Sequence, residues 1–549
     1  MLCKKRAIGI TIILVAAVLA CFWRTSPSNA AAKPNIIFIL TDDQRLEDIK
    51  HMPILQRLLV RDGISFQNYF CNVSLCCPSR TAILRGQFAH NTGVMTNGGD
   101  NGGFGAAHSL GVENSTIAVW LHDDGYKTAL IGKYLNGYPE GLGAKYIPPG
   151  WDYWASAVRG RPYSEYNYTL NENGNLASYG NSPDDYGTDV YTHHAVRFIK
   201  DCQTAHKPFF LYLAFYAPHA PATPAPRHMD LFRQAQIQRT KAFNEENMSS
   251  KPQYLQELPP MRDQQIESAD AYYGKRLRSL QAVDEAIQTI CQTLTDLHQL
   301  DNTYIFFATD NGYHLGEHRL LRGKTTAYET DIHLPLIVRG PGVAHSIEAS
   351  ELVGNIDLAP TFADLAGAKS PDFIDGRSFA AILRGETPTN WRREFLVEHW
   401  QHERPNIRGQ RGQPNMRARR NPRLGASNSP IELAAYTDEE QMHDQASADI
   451  ASDRPHRRQL SMPAGKLENS GKLETAVRVP QYRALRSRDR TFVEYVTGEK
   501  ELYHLTEDPD ELNNLVDKTS RTVIESVSGE VQRLSTSAAQ AARHLESAK

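Results

Sequence analysis

The chain has 549 residues, 40% hydrophobic and 22% charged, with 60 Lys and Arg against 63 Asp and Glu and a formal net charge of −3. That length suits one large domain with a smaller companion, and the composition excludes a largely disordered chain and a polytopic membrane protein. The near-neutral balance argues against a nucleic-acid binder, and seven cysteines are too few for a disulfide scaffold of this size.

In chain order, Lys4, Lys5 and Arg6 precede an apolar run from Ala7 to Trp23, and a small-residue stretch ends at Ala32. This organisation predicts a signal peptide over residues 1–32 and a secreted, periplasmic or secretory-lumen protein without membrane attachment after cleavage. A retained membrane anchor is one alternative, because the apolar run is close to the shortest that spans a bilayer. Lipidation at Cys21 is another. An exported compartment permits disulfides among Cys71, Cys77, Cys202 and Cys291, which sequence does not pair. Asn72, Asn114, Asn167 and Asn247 open glycosylation sequons, relevant only in a source that glycosylates exported proteins.

Residues 35–40, 127–131, 209–216, 304–309 and 334–338 are apolar runs without polar alternation, which predicts buried parallel strands. Between the third and fourth runs, Leu277, Leu280, Val283, Ile287, Ile290, Leu294 and Leu297 make one apolar stripe on a helix over about 268–300. Strands alternating with helices predict an α/β fold, a large mostly parallel sheet sandwiched by helices over residues 33–390. A smaller C-terminal α+β domain is expected over 391–549, with strands at 395–400, 482–486 and 491–496 and a helix over about 521–547. It carries an arginine-rich, apolar-poor insert at about 401–479 that reads as disordered. No internal repeat is present.

Ligands in open α/β sheets bind beyond the carboxyl ends of strands. Four runs deliver polar groups there: Asp42 and Asp43, Lys133, His219, and Asp310 with Asn311. The Asp and Asn residues are hard oxygen donors suited to Ca²⁺ or Mg²⁺. Between the first two runs stands Cys76-Cys77-Pro78-Ser79-Arg80, followed by Leu84-Arg85-Gly86.

This segment resembles the signature of the type I sulfatase family, C-x-P-S-R followed by L-x-G. The likeness runs from Pro34 to about Leu515 apart from the insert. Residues 132–136 and 310–314 are most similar to the N-acetylglucosamine-6-sulfatase and arylsulfatase branch. The resemblance implies an alkaline-phosphatase-like fold and conversion of Cys76 to formylglycine by a formylglycine-generating enzyme. It further implies one calcium ion (magnesium being possible) held by Asp42, Asp43, residue 76, Asp310 and Asn311. Lys133, His219 and Lys324 match the family's sulfate-binding lysine, histidine and second lysine, and either His219 or Lys324 is expected to protonate the leaving oxygen. Arg80 stands four residues after Cys76, one turn away if the motif opens a helix, where it can orient the hydrate and balance the metal carboxylates. Many members carry His where Asn136 stands, which leaves the base for sulfate elimination unassigned. His314 and His318 read either as substrate contacts or as structural histidines. Ser79 is expected to serve recognition by the modifying enzyme and hydrogen bonding at a helix start.

An aldehyde hydrate suits this reaction because one hydroxyl can attack sulfur while the second, once deprotonated, re-forms the aldehyde and expels sulfate. The expected substrate is a sulfate monoester, an aryl sulfate or a sulfated carbohydrate. Two alternatives share the residues: a phosphate or phosphonate monoester hydrolase of the same superfamily, and a catalytically idle binder of sulfated polysaccharide that uses the arginine-rich insert.

Overall fold

The computed structural model describes residues 33–401 and 477–538, together with Ala541. The expected signal segment, nearly all of the 401–479 insert and the far end of the helix expected to reach residue 547 lie outside the described residues.

Ten strands build one sheet: β1 (Asn35–Thr41), β2 (Ile64–Phe70), β3 (Lys127–Gly132), β4 (Tyr153–Gly160), β5 (Tyr168–Glu172), β6 (Asn175–Tyr179), β7 (Phe209–Ala214), β8 (Thr303–Thr309), β9 (Leu336–Arg339) and β10 (Ile347–Gly354). Their spatial order is β10-β2-β9-β8-β1-β7-β3-β4-β5-β6. The centre, β8-β1-β7-β3-β4, is parallel throughout. At the flanks β9 runs antiparallel to both β8 and β2, and β4-β5-β6 is an antiparallel meander.

The apolar runs are continuous because both faces of the sheet are covered. In β1, Ile36, Phe38 and Leu40 enter one core while Ile37 and Ile39 enter another on the opposite face. The long helix Asp263–Asp296 presents Leu280, Val283, Ile287, Ile290 and Leu294 to the second core. Leu297, expected on the same stripe, sits just past the helix end.

The run at 334–338 corrects an expectation. Its strand, β9, is antiparallel to β8 rather than parallel, with Phe307 opposite Ile337. An apolar run records burial on both faces and carries no information on direction. The run at 209–216 ends as a strand at Ala214, and Phe215 to Ala217 continue as buried turn.

A second sheet of four antiparallel strands, β11 (Glu394–His399), β12 (Tyr482–Ser487), β13 (Arg490–Tyr495) and β14 (Lys500–His504), packs beneath the helix Arg521–Ser535. Phe395, Leu396 and Leu485 share a core with Phe38 and Phe362, so the small sheet is welded to one face of the large one. Among the described residues no helix is long and apolar enough to cross a membrane.

Candidate active site

Four adjacent strands, β8, β1, β7 and β3, bring Asp310 and Asn311, Asp42 and Asp43, His219, and Lys133 to one edge of the sheet. Lys133 follows a glycine for a steric reason. Gly132 has φ +100°, and a Cβ there would fall 1.9 Å from the Ala214 carbonyl oxygen. No other residue fits that approach.

Cys76 opens the helix Cys76–Arg85, whose sequence explains its bounds. Pro78 is tolerated in a first turn, and Gly86 ends the helix in the left-handed conformation at φ 69°. The Cys77 amide donates to Asn97 Oδ1 (2.8 Å). Ser79 hydrogen-bonds at the helix start, as expected, though not as its cap. Its hydroxyl donates to the Asp310 carbonyl and accepts from Asn355 Nδ2, which ties the helix to the end of β8. Arg80, one turn from Cys76, donates from Nε to Asp310 Oδ2 (2.8 Å) and from Nη1 to the Lys133 carbonyl (3.0 Å). Its Nη2 lies 3.7 Å from Asp42 Oδ2.

The ligating atoms of Asp42, Asp43, Cys76 and His219 lie within 4.8 Å of one another, and all four residues are buried. Cys76 Sγ is 3.3 Å from Asp42 Oδ1 and 4.0 Å from Asp43 Oδ1. Lys324 Nζ donates to Asp43 Oδ1 (2.6 Å) and lies 2.8 Å from Cys76 Sγ. Lys133 Nζ pairs with Asp42 Oδ2. His219 Nε2 is 3.6 Å from Asp43 Oδ2. Asp310 and Asn311 join through Asp43: its amide donates to Asp310 Oδ1 (3.1 Å), and Asn311 Nδ2 donates to its Oδ1 (2.7 Å). Every sequence-predicted ligand and cation is therefore in one connected cluster.

Electrostatics follow from burial against a ring of cations. Burial pushes the Asp42 carboxyl up, but Lys133, His219, Arg80 and Lys324 outweigh it and hold Asp42 far below the usual carboxylate range. Asp43 is likewise lowered, burial being outweighed by Lys324 and His219. Asp310 is pushed up by burial and the neighbouring Asp42, against Arg80 and Lys133. Burial and Asp42 drive the Cys76 thiol well up, so the unmodified side chain is a neutral thiol rather than a thiolate nucleophile.

The donor set fits a hard divalent cation. Three carboxylates and an amide converge, and Asn311 Oδ1 is buried without a hydrogen-bond partner.

The two further histidines separate. His314 Nδ1 lies 3.0 Å from Asp331 Oδ2 inside the segment that carries Lys324. His318 is bonded to Glu245 (2.6 Å) and packed on Tyr328, and burial drives it to the neutral form. His318 thus has the surroundings of a structural histidine. Cys71, Cys76, Cys77, Cys202 and Cys291 are all buried free thiols, so the permitted disulfides are not formed. Asn72 is buried, with Oδ1 accepting from the Ala89 amide (2.8 Å), so the folded chain offers no glycan acceptor there.

Sequence reading missed the irregular 162–165 turn beside the cluster. Its Glu165 is buried, accepts from the Thr188 amide (2.7 Å) and is pushed up to about 8 by burial. The unfolded chain loses this proton near the ordinary value of 4.5, so between the two pH values the folded chain binds the extra proton and stability falls as pH rises. Glu165→Gln is expected to remove a slope of at most roughly 1.4 kcal/mol per pH unit. Urea unfolding of both forms at several pH values measures it; parallel slopes would refute the assignment.

Residues 34–368 match the family model described as Sulfatase. The chain is 36% identical over 374 residues to a Homo sapiens N-acetylglucosamine-6-sulfatase, covering 67% of each protein. It is 36% identical over 387 residues to a Drosophila melanogaster protein described as an extracellular sulfatase SULF-1 homolog, covering 69% of this chain and 34% of the relative. The chain thus spans about a third of that relative's length, and it spans 50% of a Caenorhabditis elegans relative. A solved structure described as a complex with its substrate D-glucosamine-2-N,6-O-disulfate superposes with a TM-score of 0.65 at 22% identity, covering 91% of this chain and 96% of that one.

Proposed function

The chain belongs to the sulfatase family, and from that premise we propose that it is an exported hydrolase of sulfate monoesters acting on sulfated carbohydrate. The observation that carries the proposal is the meeting of Cys76 with Asp42, Asp43 and His219 within 4.8 Å, at the edge where Lys133 and Lys324 also end. The carbohydrate class is supported by the names of the relatives and by the glucosamine disulfate in the structural neighbour.

Cys76, oxidised to formylglycine by a formylglycine-generating enzyme, supplies the attacking hydroxyl of an aldehyde hydrate. Asp42, Asp43, Asp310, Asn311 and residue 76 would hold a divalent ion, calcium in our reading, which would supply charge neutralisation at the sulfate oxygens. Around them each side chain has a distinct task. Arg80 neutralises Asp310 and Asp42 and fixes the first helical turn beneath residue 76. Lys133 pairs with Asp42 and Lys324 with Asp43, and from there the two ammonium groups would hold the sulfate oxygens. His219 is oriented by the Ala220 carbonyl, 2.8 Å from Nδ1, which leaves Nε2 on the Asp43 side. A proton on Nε2, or on Lys324, is placed to pass to the leaving oxygen. Burial of the centre strengthens each of these interactions relative to water.

Purified from a host that makes formylglycine, the protein is expected to turn over a chromogenic aryl sulfate faster than the matched phosphate monoester. Chelation is expected to abolish turnover, and calcium to restore it better than magnesium. Chelator-insensitive turnover, or preference for phosphate, would overturn the proposal.

A further inference from the structure

Tyr163 lies in the short turn between β4 and β5, thirty positions from Lys133 and fifty-six from His219 by residue number, yet it touches both. Its ring centroid is 4.5 Å from that of the His219 imidazole, at 47°. Lys133 Nζ lies 4.9 Å from the same centroid, within the range in which the negative face of an aromatic ring attracts an ammonium group. Tyr216 meets the ring edge-on at 4.9 Å, and Asn136 Nδ2 reaches the Tyr163 hydroxyl at 3.4 Å.

The turn is built to hold this ring still. Two residues on, the Glu165 carbonyl accepts from the Gly187 amide (2.9 Å) and its carboxyl accepts from the Thr188 amide (2.7 Å). Both donors belong to the first turn of the buried helix Gly187–Thr204, where amides have no intrahelical partner. A half-buried tyrosine on a mobile turn would serve neither neighbour; on this anchored turn its ring meets both Lys133 and His219.

We propose that Tyr163 is the positioning residue for Lys133 and His219: its ring fixes the ammonium by a cation–π contact and packs the imidazole in place. This rests on the reading of Lys133 and His219 as sulfate-binding groups. At a half-buried ring, between the exposed and desolvated limits, such a contact is worth about a tenfold effect. The role belongs to the ring rather than to the hydroxyl, which meets Asn136 Nδ2.

The test combines aryl sulfate kinetics with calorimetric binding of inorganic sulfate to the holoenzyme. Tyr163→Phe is expected to keep kcat and sulfate affinity within about threefold, and Tyr163→Leu to lower both by about tenfold. If the Leu variant fails to fold, phenylalanines of increasing fluorination at position 163 decide the matter. They keep the ring's shape while draining its negative face, so sulfate affinity should fall stepwise with fluorine content. Equal sulfate affinity across the fluorinated series, or a Phe variant as impaired as Leu, would overturn the proposal. Should the parent protein bind sulfate but turn over no sulfate ester, the hydrolase reading fails while the binding series still judges Tyr163.

Discussion

Cys76→Ala is expected to fold normally and to lose at least about 10⁴-fold in turnover of an aryl sulfate, the scale on which removal of a covalent nucleophile acts. The side chain is buried and small, and alanine is well accepted in a helix, so the cost to the fold is minor. What disappears is the only group in the cluster that contacts Asp42, Asp43 and Lys324 together and is convertible to an aldehyde. Steady-state assays beside thermal unfolding of both proteins separate the two effects. Wild-type turnover in the Ala variant would end the mechanism.

Arg80→Met carries the second large effect, and this one falls on stability as well. The guanidinium is buried among Asp310, Asp42 and the Lys133 carbonyl. Removing it leaves the buried Asp310 carboxylate without its nearest cation, which costs about 3–5 kcal/mol. Denaturant unfolding measures the loss. The double variant Arg80→Met with Asp310→Asn is expected to regain part of it, because the orphaned charge is then gone. Additive losses in the double variant would show that the pair is not coupled. Both variants are expected to be inactive.

Much of this was legible in the sequence where local chemistry dictates geometry. β1, β3, β7 and β8 are unbroken apolar runs because helices cover both faces, and the polar residues just beyond them could only sit at the sheet edge. Cys76 to Gly86 declares its helix through Pro78 near the start and Gly86 at the end. Other parts left no local mark. β5 and β6 alternate weakly, and β10 is mostly polar at its start, so their pairing is a tertiary fact. The direction of β9 depends on its neighbours rather than on its residues. Tyr163 sits in an irregular turn between two strands, and no spacing from Lys133 or His219 points to it. Lys324 was legible only through the family resemblance: its loop follows β8 without a strand of its own, and it reaches residue 76 because Asp331 braces the segment through His314 and Thr326.

Residue 76 of the working enzyme is expected to be an aldehyde beside a divalent ion rather than a thiol. Mass spectrometry of the proteolytic peptide that contains position 76, taken from active protein, tests it most directly. The expected peptide is lighter than its thiol form and reacts with a carbonyl-specific hydrazine. A fully active preparation in which that peptide carries only an intact cysteine would contradict it.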